Sequence, residues 1–117
     1  MPKKPAFNRS PCPLAVTLDI VGDKWSLIVI RDLFRGKTRY SEFLTSPEGV
    51  TTNILAERLK RLEDHGLISK TAYQENPVRH EYALTAKGRA LGPVIREIAI
   101  WANAHYPGTI VPNLKKL

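Results

Sequence analysis

Leu55, Leu59 and Leu62 recur at the i, i+4, i+7 spacing that lines one face of a helix, so residues 51–65 are predicted to form an amphipathic helix with a single buried stripe. At about 100° per residue, its free face presents Asn53, Ala56, Glu57, Lys60 and Asp64, with Arg58 and Arg61 on the flanks. Thr51 is the expected N-cap, and Gly66 suits the left-handed residue that closes such a helix. Upstream, Trp25, Leu27, Ile28, Val29, Ile30, Leu33 and Phe34 are apolar nearly all round a helix expected over residues 24–35, which makes it central to the core. Asp23 is its expected cap and Gly36 its end. Pro13 at a first helical position makes Cys12 the N-cap of an earlier helix closing at Gly22, with a stripe of Leu14, Leu18 and Val21.

Between these helices, Lys37 to Tyr40 is expected as a short strand, and Tyr40 to Ser46 as one or two helical turns with Phe43 and Leu44 directed inward. Pro47 to Gly49 is the turn that follows. Leu67 to Tyr73 and Arg79 to Leu84 have the composition of strands, the second alternating through His80, Tyr82 and Leu84, with residues 74–78 joining them. Thr85 is predicted to cap one last helix reaching about Tyr106, with Pro93 in its first turns and a broad stripe of Leu91, Val94, Ile95, Ile98, Trp101, Ala102 and His105.

A short helix, a turn, a basic amphipathic helix and a hairpin thus follow one another without a linker over residues 40–85. That is the order of a winged helix-turn-helix in an α+β, mainly α chain flanked by N- and C-terminal dimerisation helices. The expected division of one domain over 1–117 is an arm (1–11), core and dimer helices (12–36), the helix-turn-helix (40–65), the wing (67–84), a dimerisation helix (85–106) and a tail (107–117). Val16 and Ile20 fall off the stripe of the first helix, and Ile100 falls on the far side of the last. Apolar surface left over on both terminal helices is met by a second subunit, so a homodimer is expected, with Leu14, Val16, Leu18, Ile20, Val94, Ile98, Ile100, Trp101 and His105 at its interface.

Charge narrows the partner. The chain carries 18 Lys and Arg against 11 Asp and Glu, a formal net charge of +7, which favours a polyanion and places double-stranded DNA ahead of a membrane surface. Residues 1–40 hold eight of the cations against three Asp, so Arg31, Arg35, Lys37 and Arg39 are expected to clamp phosphates beside the amphipathic helix. No apolar run approaches the ~18 residues of a membrane span, and no signal-peptide apolar region follows the first residues, so a cytoplasmic location is expected. The one cysteine excludes a disulfide framework within the chain. His65, His80 and His105 are scattered, with no metal or nucleophile motif around them, so neither an enzyme nor a cofactor or metal is expected.

The major groove admits an α-helix whose N-terminal turns approach the base edges, which makes Thr51, Thr52, Asn53 and Glu57 the candidate base-reading set. Asn53 can pair twice with adenine, Thr52 can offer a hydroxyl or a methyl, and Glu57 can accept from cytosine. Arg58, Lys60 and Arg61 are expected on phosphates, and Arg79 with Lys70 on the wing.

The chain resembles the HxlR-type transcriptional regulators, a branch of MarR-like winged-helix proteins. The resemblance lies in Cys12-Pro13-Leu14, Gly22-Asp23-Lys24-Trp25, Arg39-Tyr40-Ser41-Glu42-Phe43, Gly49-Val50-Thr51, Leu55-Ala56-Glu57-Arg58-Leu59, Leu62-Glu63 to Gly66-Leu67-Ile68, Pro77-Val78-Arg79-His80-Glu81-Tyr82 and Leu84-Thr85-Ala86-Lys87-Gly88. It implies a bacterial, dimeric, DNA-binding regulator, often of genes that deal with electrophiles, oxidants or other small molecules. The position of Asn53 is frequently basic in that family, which implies a different operator preference here.

Two inputs follow for such a regulator. A thiol at a helix N-terminus meets unpaired N–H groups that favour its thiolate, so Cys12 is a candidate sensor of oxidants or electrophiles, with Arg9 and the arm lysines adding to the field. The alternative for Cys12 is a small packing residue. A small-molecule effector would instead use a pocket formed by Trp25, Trp101 and Tyr106 between the dimer helices. A winged helix used for protein contact is the competing function, and the basic residues around the amphipathic helix argue against it.

Overall fold

A computed structural model describes residues 9–113. Most of the expected arm (1–8) and the end of the expected tail (114–117) lie outside the described residues. The elements are α1 (Pro13–Val21), α2 (Ser26–Phe34), α3 (Tyr40–Phe43), α4 (Thr52–Asp64), β1 (Ile68–Gln74), β2 (Arg79–Leu84), α5 (Ala86–Arg89) and α6 (Gly92–His105). The strands form one antiparallel pair, in register from Ile68 opposite Leu84 to Ala72 opposite His80, with an irregularity before Gln74 meets Arg79. This is a mostly helical winged helix-turn-helix. No helix among the described residues is long and apolar enough to cross a membrane.

The core forms where the chain meets α4. Leu55, Leu59 and Leu62 are fully shielded and join Val29, Ile30 and Leu33 of α2, Phe43, Val50, Leu67 and Ile68. Phe43 meets the Tyr82 ring edge-on at 6.3 Å, which fastens α3 to the second strand. The Thr51 hydroxyl accepts from the Ile54 N–H at 3.5 Å and opens α4. At the other end Gly66 takes φ +75°, the Leu67 N–H reaches back to the Leu62 carbonyl (2.9 Å) and the Gly66 N–H to Glu63 (2.9 Å). This Schellman turn satisfies the last carbonyls of the helix and points the chain straight into β1.

The same corner receives the start of α5. The Thr85 hydroxyl donates to the Gly66 carbonyl (2.6 Å), the Thr85 N–H to Leu67 (3.1 Å) and Lys87 Nζ to His65 (2.8 Å). Gly88 is buried there, and a Cβ on it would lie 2.1 Å from the Leu67 carbonyl oxygen, so only glycine lets the two backbones approach this closely.

Four expectations change. The strand over 37–40 is a single bridge between Arg39 and Glu81, with the Tyr82 N–H donating to the Thr38 carbonyl at 2.7 Å. The Thr38 and Arg39 N–H groups are engaged by Glu42 Oε1 (2.9 and 2.8 Å), which opens α3 instead of extending a sheet. The single last helix is two, interrupted at Ala90 and Leu91. Thr85 caps only the first piece, accepting from the Gly88 N–H at 3.1 Å, and Pro93 has no N–H to continue the ladder, so it starts α6. α2 begins at Ser26, two residues late, because Asp23 Oδ2 accepts from the Trp25 and Ser26 N–H groups at 3.0 and 3.1 Å. Finally, α1 touches the core through its C-terminal end. Val21 is buried and Ile20 packs partly against the core, whereas Leu14 and Leu18 of the expected stripe are exposed.

Candidate nucleic-acid interface

The free face of α4 is open to solvent at Thr52, Asn53, Ala56, Glu57, Lys60 and Asp64. Two contacts hold its first turn in place. The Thr51 hydroxyl caps the helix by accepting from the Ile54 N–H, and Tyr40 Oη donates to the Thr52 carbonyl at 2.7 Å. Asn53 carries no such internal bond among the described residues and presents its amide at the N-terminal end of the helix.

The flanking arginines are held from behind. Arg58 Nε donates to Asp23 Oδ2 at 2.7 Å, Arg61 Nη1 lies 3.4 Å from Asp23 Oδ1, and Arg61 Nη2 bonds Glu57 Oε1 at 3.0 Å, with Arg58 also paired to Glu57. Burial pushes the Asp23 carboxyl up, but bonds from the Ser26 hydroxyl, Arg58 and the Trp25 and Ser26 amides outweigh it and hold the group well below the usual carboxylate range. One residue of the α1–α2 loop therefore caps α2 and clamps α4. Sequence reading identified the cap and missed the clamp, because the partners are 35 and 38 positions apart. Glu57 is thereby engaged as a counter-ion, which limits it as a base reader, and Arg58 and Arg61 are clamp members before they are phosphate ligands.

Within the expected cluster, Arg31 and Lys37 share the Asp32 carboxylate, Arg31 and Arg35 line one groove, and Arg39 meets the wing. Arg31 forms a fork on Glu48 (Nη1–Oε2 2.8 Å, Nη2–Oε1 2.9 Å) and also bonds the buried Asp32 (2.9 Å). This pairing holds the Glu48 carboxyl down at about 2. Lys37 donates to Ser46 Oγ at 2.9 Å, and that hydroxyl in turn donates to Asp32. Arg31 and Lys37 thus tie α2 to the turn before α4. Arg35 is exposed beside α6. Arg39 lies against the wing, its guanidinium 3.9 Å from the centre of the Tyr73 ring and 3.6 Å from Glu81.

On the wing, Arg79 is exposed at the start of β2 and Lys70 lies 3.9 Å from Glu63. Lys60 pairs with Asp64 at 2.7 Å, an exposed i,i+4 bridge of the kind that exchanges readily for another anion.

The outer helices carry the apolar residues that lack cover. Leu14, Leu18, Val94, Ile98 and Trp101 are exposed, Trp101 by 57%, and its ring touches those of His105 (5.2 Å) and Tyr106 (5.6 Å). Three members of the expected interface differ from this set. Ile20 turns to the core and Val16 is half-buried, and Ile100, although exposed, points about 160° away from Ile98 around the helix. Trp25 packs against the core rather than with Trp101 and Tyr106, so these three rings do not share a pocket.

Cys12 is exposed at the start of α1. Its thiol makes no full capping bond, yet the Ala15 and Leu14 N–H groups hold its pKa below the ordinary value. Arg9 does not contribute as expected, since its guanidinium bonds Asp19 at 2.8 Å. The arm lysines Lys3 and Lys4 lie outside the described residues.

A buried core helix, an exposed helix held at both ends and a two-stranded wing define a winged helix-turn-helix protein. Residues 20–109 match the HxlR-like helix-turn-helix family, and the chain belongs to it. Among its relatives, sll1512 of Synechocystis sp., an uncharacterised HTH-type transcriptional regulator, is 43% identical over 72% of this chain, and the match spans 62% of that protein. The crystal structure of PA1607 superposes with a TM-score of 0.78 at 39% identity, covering 90% of this chain and 74% of that one. The redox regulator HypR in its oxidised form superposes with a TM-score of 0.72 at 33% identity, covering 80% and 97%.

Proposed function

We propose that this chain is a transcriptional regulator that binds double-stranded DNA as a homodimer, with the N-terminal turns of α4 in the major groove and the wing against the flanking backbone. The observation that carries the reading is the open face of α4 around Asn53, held rigidly by Thr51, Tyr40 and the Asp23 clamp. Thr52 and Asn53 read bases. Lys60, Lys70, Arg39 and Arg79 neutralise phosphates, joined by the outer edges of Arg58 and Arg61. A twofold dimer sets its half-sites about 34–36 Å apart, or a multiple of that, on a pseudopalindrome.

Fluorescence anisotropy on duplexes from upstream of the gene and its neighbours, with random duplex as competitor, tests this reading. Asn53→Ala is expected to lose about 1–3 kcal/mol on the operator while hardly changing random DNA. Arg79→Ala should weaken both alike and flatten the salt dependence by about one unit. Equal losses on the two duplexes for Asn53→Ala would refute the base-reading role.

The similarity to a redox regulator and the exposed, thiolate-favouring position of Cys12 support oxidant or electrophile sensing. With no second cysteine in the chain, a thiol-reactive signal acts by a bridge between subunits, a mixed disulfide or alkylation. Cys12→Ser should bind the operator like wild type and keep it when diamide releases the parent protein. Release of the variant by diamide would discard the sensor.

A further inference from the structure

The positive charge of the chain does not reside on α4. Within that helix Arg58, Lys60 and Arg61 are matched by Glu57, Glu63 and Asp64, so it is formally neutral, and Asp23 behind it adds a further carboxylate. Each of the three cations has a carboxylate partner. Arg58 and Arg61 share Asp23 and Glu57, and Lys60 has Asp64. Exposure follows the pairing, with the Arg58 and Arg61 side chains 19% and 31% open to solvent against 68% for Lys60.

Glu57 stands beside the proposed reading residues. It follows Asn53 by four positions, one turn along the same face. Its side chain is half exposed, and its oxygens accept from Arg58 and from Arg61 Nη2 at 3.0 and 3.5 Å. A carboxylate has about four acceptor positions, so these bonds pin the group without exhausting it. A negative charge fixed there repels phosphates, and it withholds from them two guanidiniums that would attract any sequence. A base edge that presents an amino group, cytosine N4 or adenine N6, offsets this cost by donating to the carboxylate.

We propose that Glu57 determines specificity by penalising the wrong duplex: it shields Arg58 and Arg61 from phosphates on every sequence and is satisfied in the groove only where an amino group faces it. Discrimination then comes from weakened non-specific binding as much as from a favourable contact. The base-edge contact rests on the regulator reading above, whereas the shielding of the arginines stands on the ion pairs alone.

Glu57→Gln is compared with Asp64→Asn, since each removes one negative charge from the exposed face of α4 and Asp23 still grips both arginines. An amide oxygen at position 57 can accept from a guanidinium but no longer holds it against a phosphate. On immobilised heparin, a polyanion without bases, Glu57→Gln should elute at higher salt than Asp64→Asn, because it frees two shielded arginines rather than a lysine already exposed. Co-elution of the two variants would overturn the shielding. In anisotropy titrations, Glu57→Gln is expected to bind random duplex about tenfold more tightly, with a salt slope steeper by about one to two units, and to stay within about threefold of the parent on the operator. Asp64→Asn should move both duplexes alike. Unchanged or weaker binding of random duplex by Glu57→Gln, or equal gains on the two duplexes, would overturn the role in specificity. If no upstream duplex outcompetes random DNA for the parent protein, the regulator reading falls and the base-edge contact with it, and the heparin elution still decides the shielding.

Discussion

A chain carrying Ile98→Glu and Trp101→Glu is expected to sediment as a 13.2 kDa monomer and to lose about a hundredfold or more of its operator affinity. Both side chains are exposed on α6 and neither belongs to the core, so the monomer should keep its helical signal and its unfolding temperature at low concentration. The loss arises because a second half-site bound by the same particle sees an effective concentration far above that of a free monomer, and this advantage vanishes with the dimer. A charge in the middle of an apolar contact has no partner and opposes association strongly. Ile100→Glu is the internal control, since it lies on another face of the same helix and should leave both mass and affinity nearly unchanged. Equilibrium sedimentation together with anisotropy reads both quantities. A dimer that survives the double substitution would move the interface elsewhere.

Asp23→Ala is expected to cost about 2–4 kcal/mol of stability, a fall of roughly 10 °C or more in Tm, because it removes the cap of α2 and the anchor of Arg58 and Arg61 together. The effect on DNA has a distinct sign for each duplex. Two released guanidiniums strengthen contact with any phosphate backbone, while the reading helix loses the bond that fixes its angle. Random DNA is therefore bound at least as well and the operator worse, measured at a temperature where the variant is folded. Asp23→Asn separates the two roles. An amide oxygen still accepts from the Trp25 and Ser26 N–H groups, so part of the Tm returns, but without the charge the clamp and the discrimination do not. Parent-like discrimination in Asp23→Ala would show that the clamp has no part in recognition.

The helix-turn-helix was readable from residue pattern because its determinants are local. The stripe of Leu55, Leu59 and Leu62, the Thr51 cap and Gly66 after the last turn all act within a few positions of each other, and all three features stand in the structure. Charge partners were not readable. Arg31 and Arg58 look alike as exposed-helix cations in a sequence, and only tertiary contact reveals that Glu48 holds one and Asp23 the other. The orientation of α1 was ambiguous for a related reason. Leu14, Val16, Leu18, Ile20 and Val21 put apolar groups on both faces, so periodicity could not choose which one turns inward. At the α5–α6 break the signals Gly88 and Pro93 were present, but the close approach of Leu67 that makes Gly88 necessary comes from a residue 21 positions earlier.

The corner at Gly66 gathers the end of α4, the root of the wing and the start of α5 into a single joint, with the His65, Gly66 and Leu67 carbonyls all bonded by residues 85–87. Helix and wing are therefore fastened to each other and to the start of α5, and the interruption at Ala90 and Leu91 is the first break in the helix ladder behind that joint. In the proposed dimer this break stands between each reading head and the outer face of α6, so substitutions there would alter the spacing of the heads without touching a residue proposed to read bases.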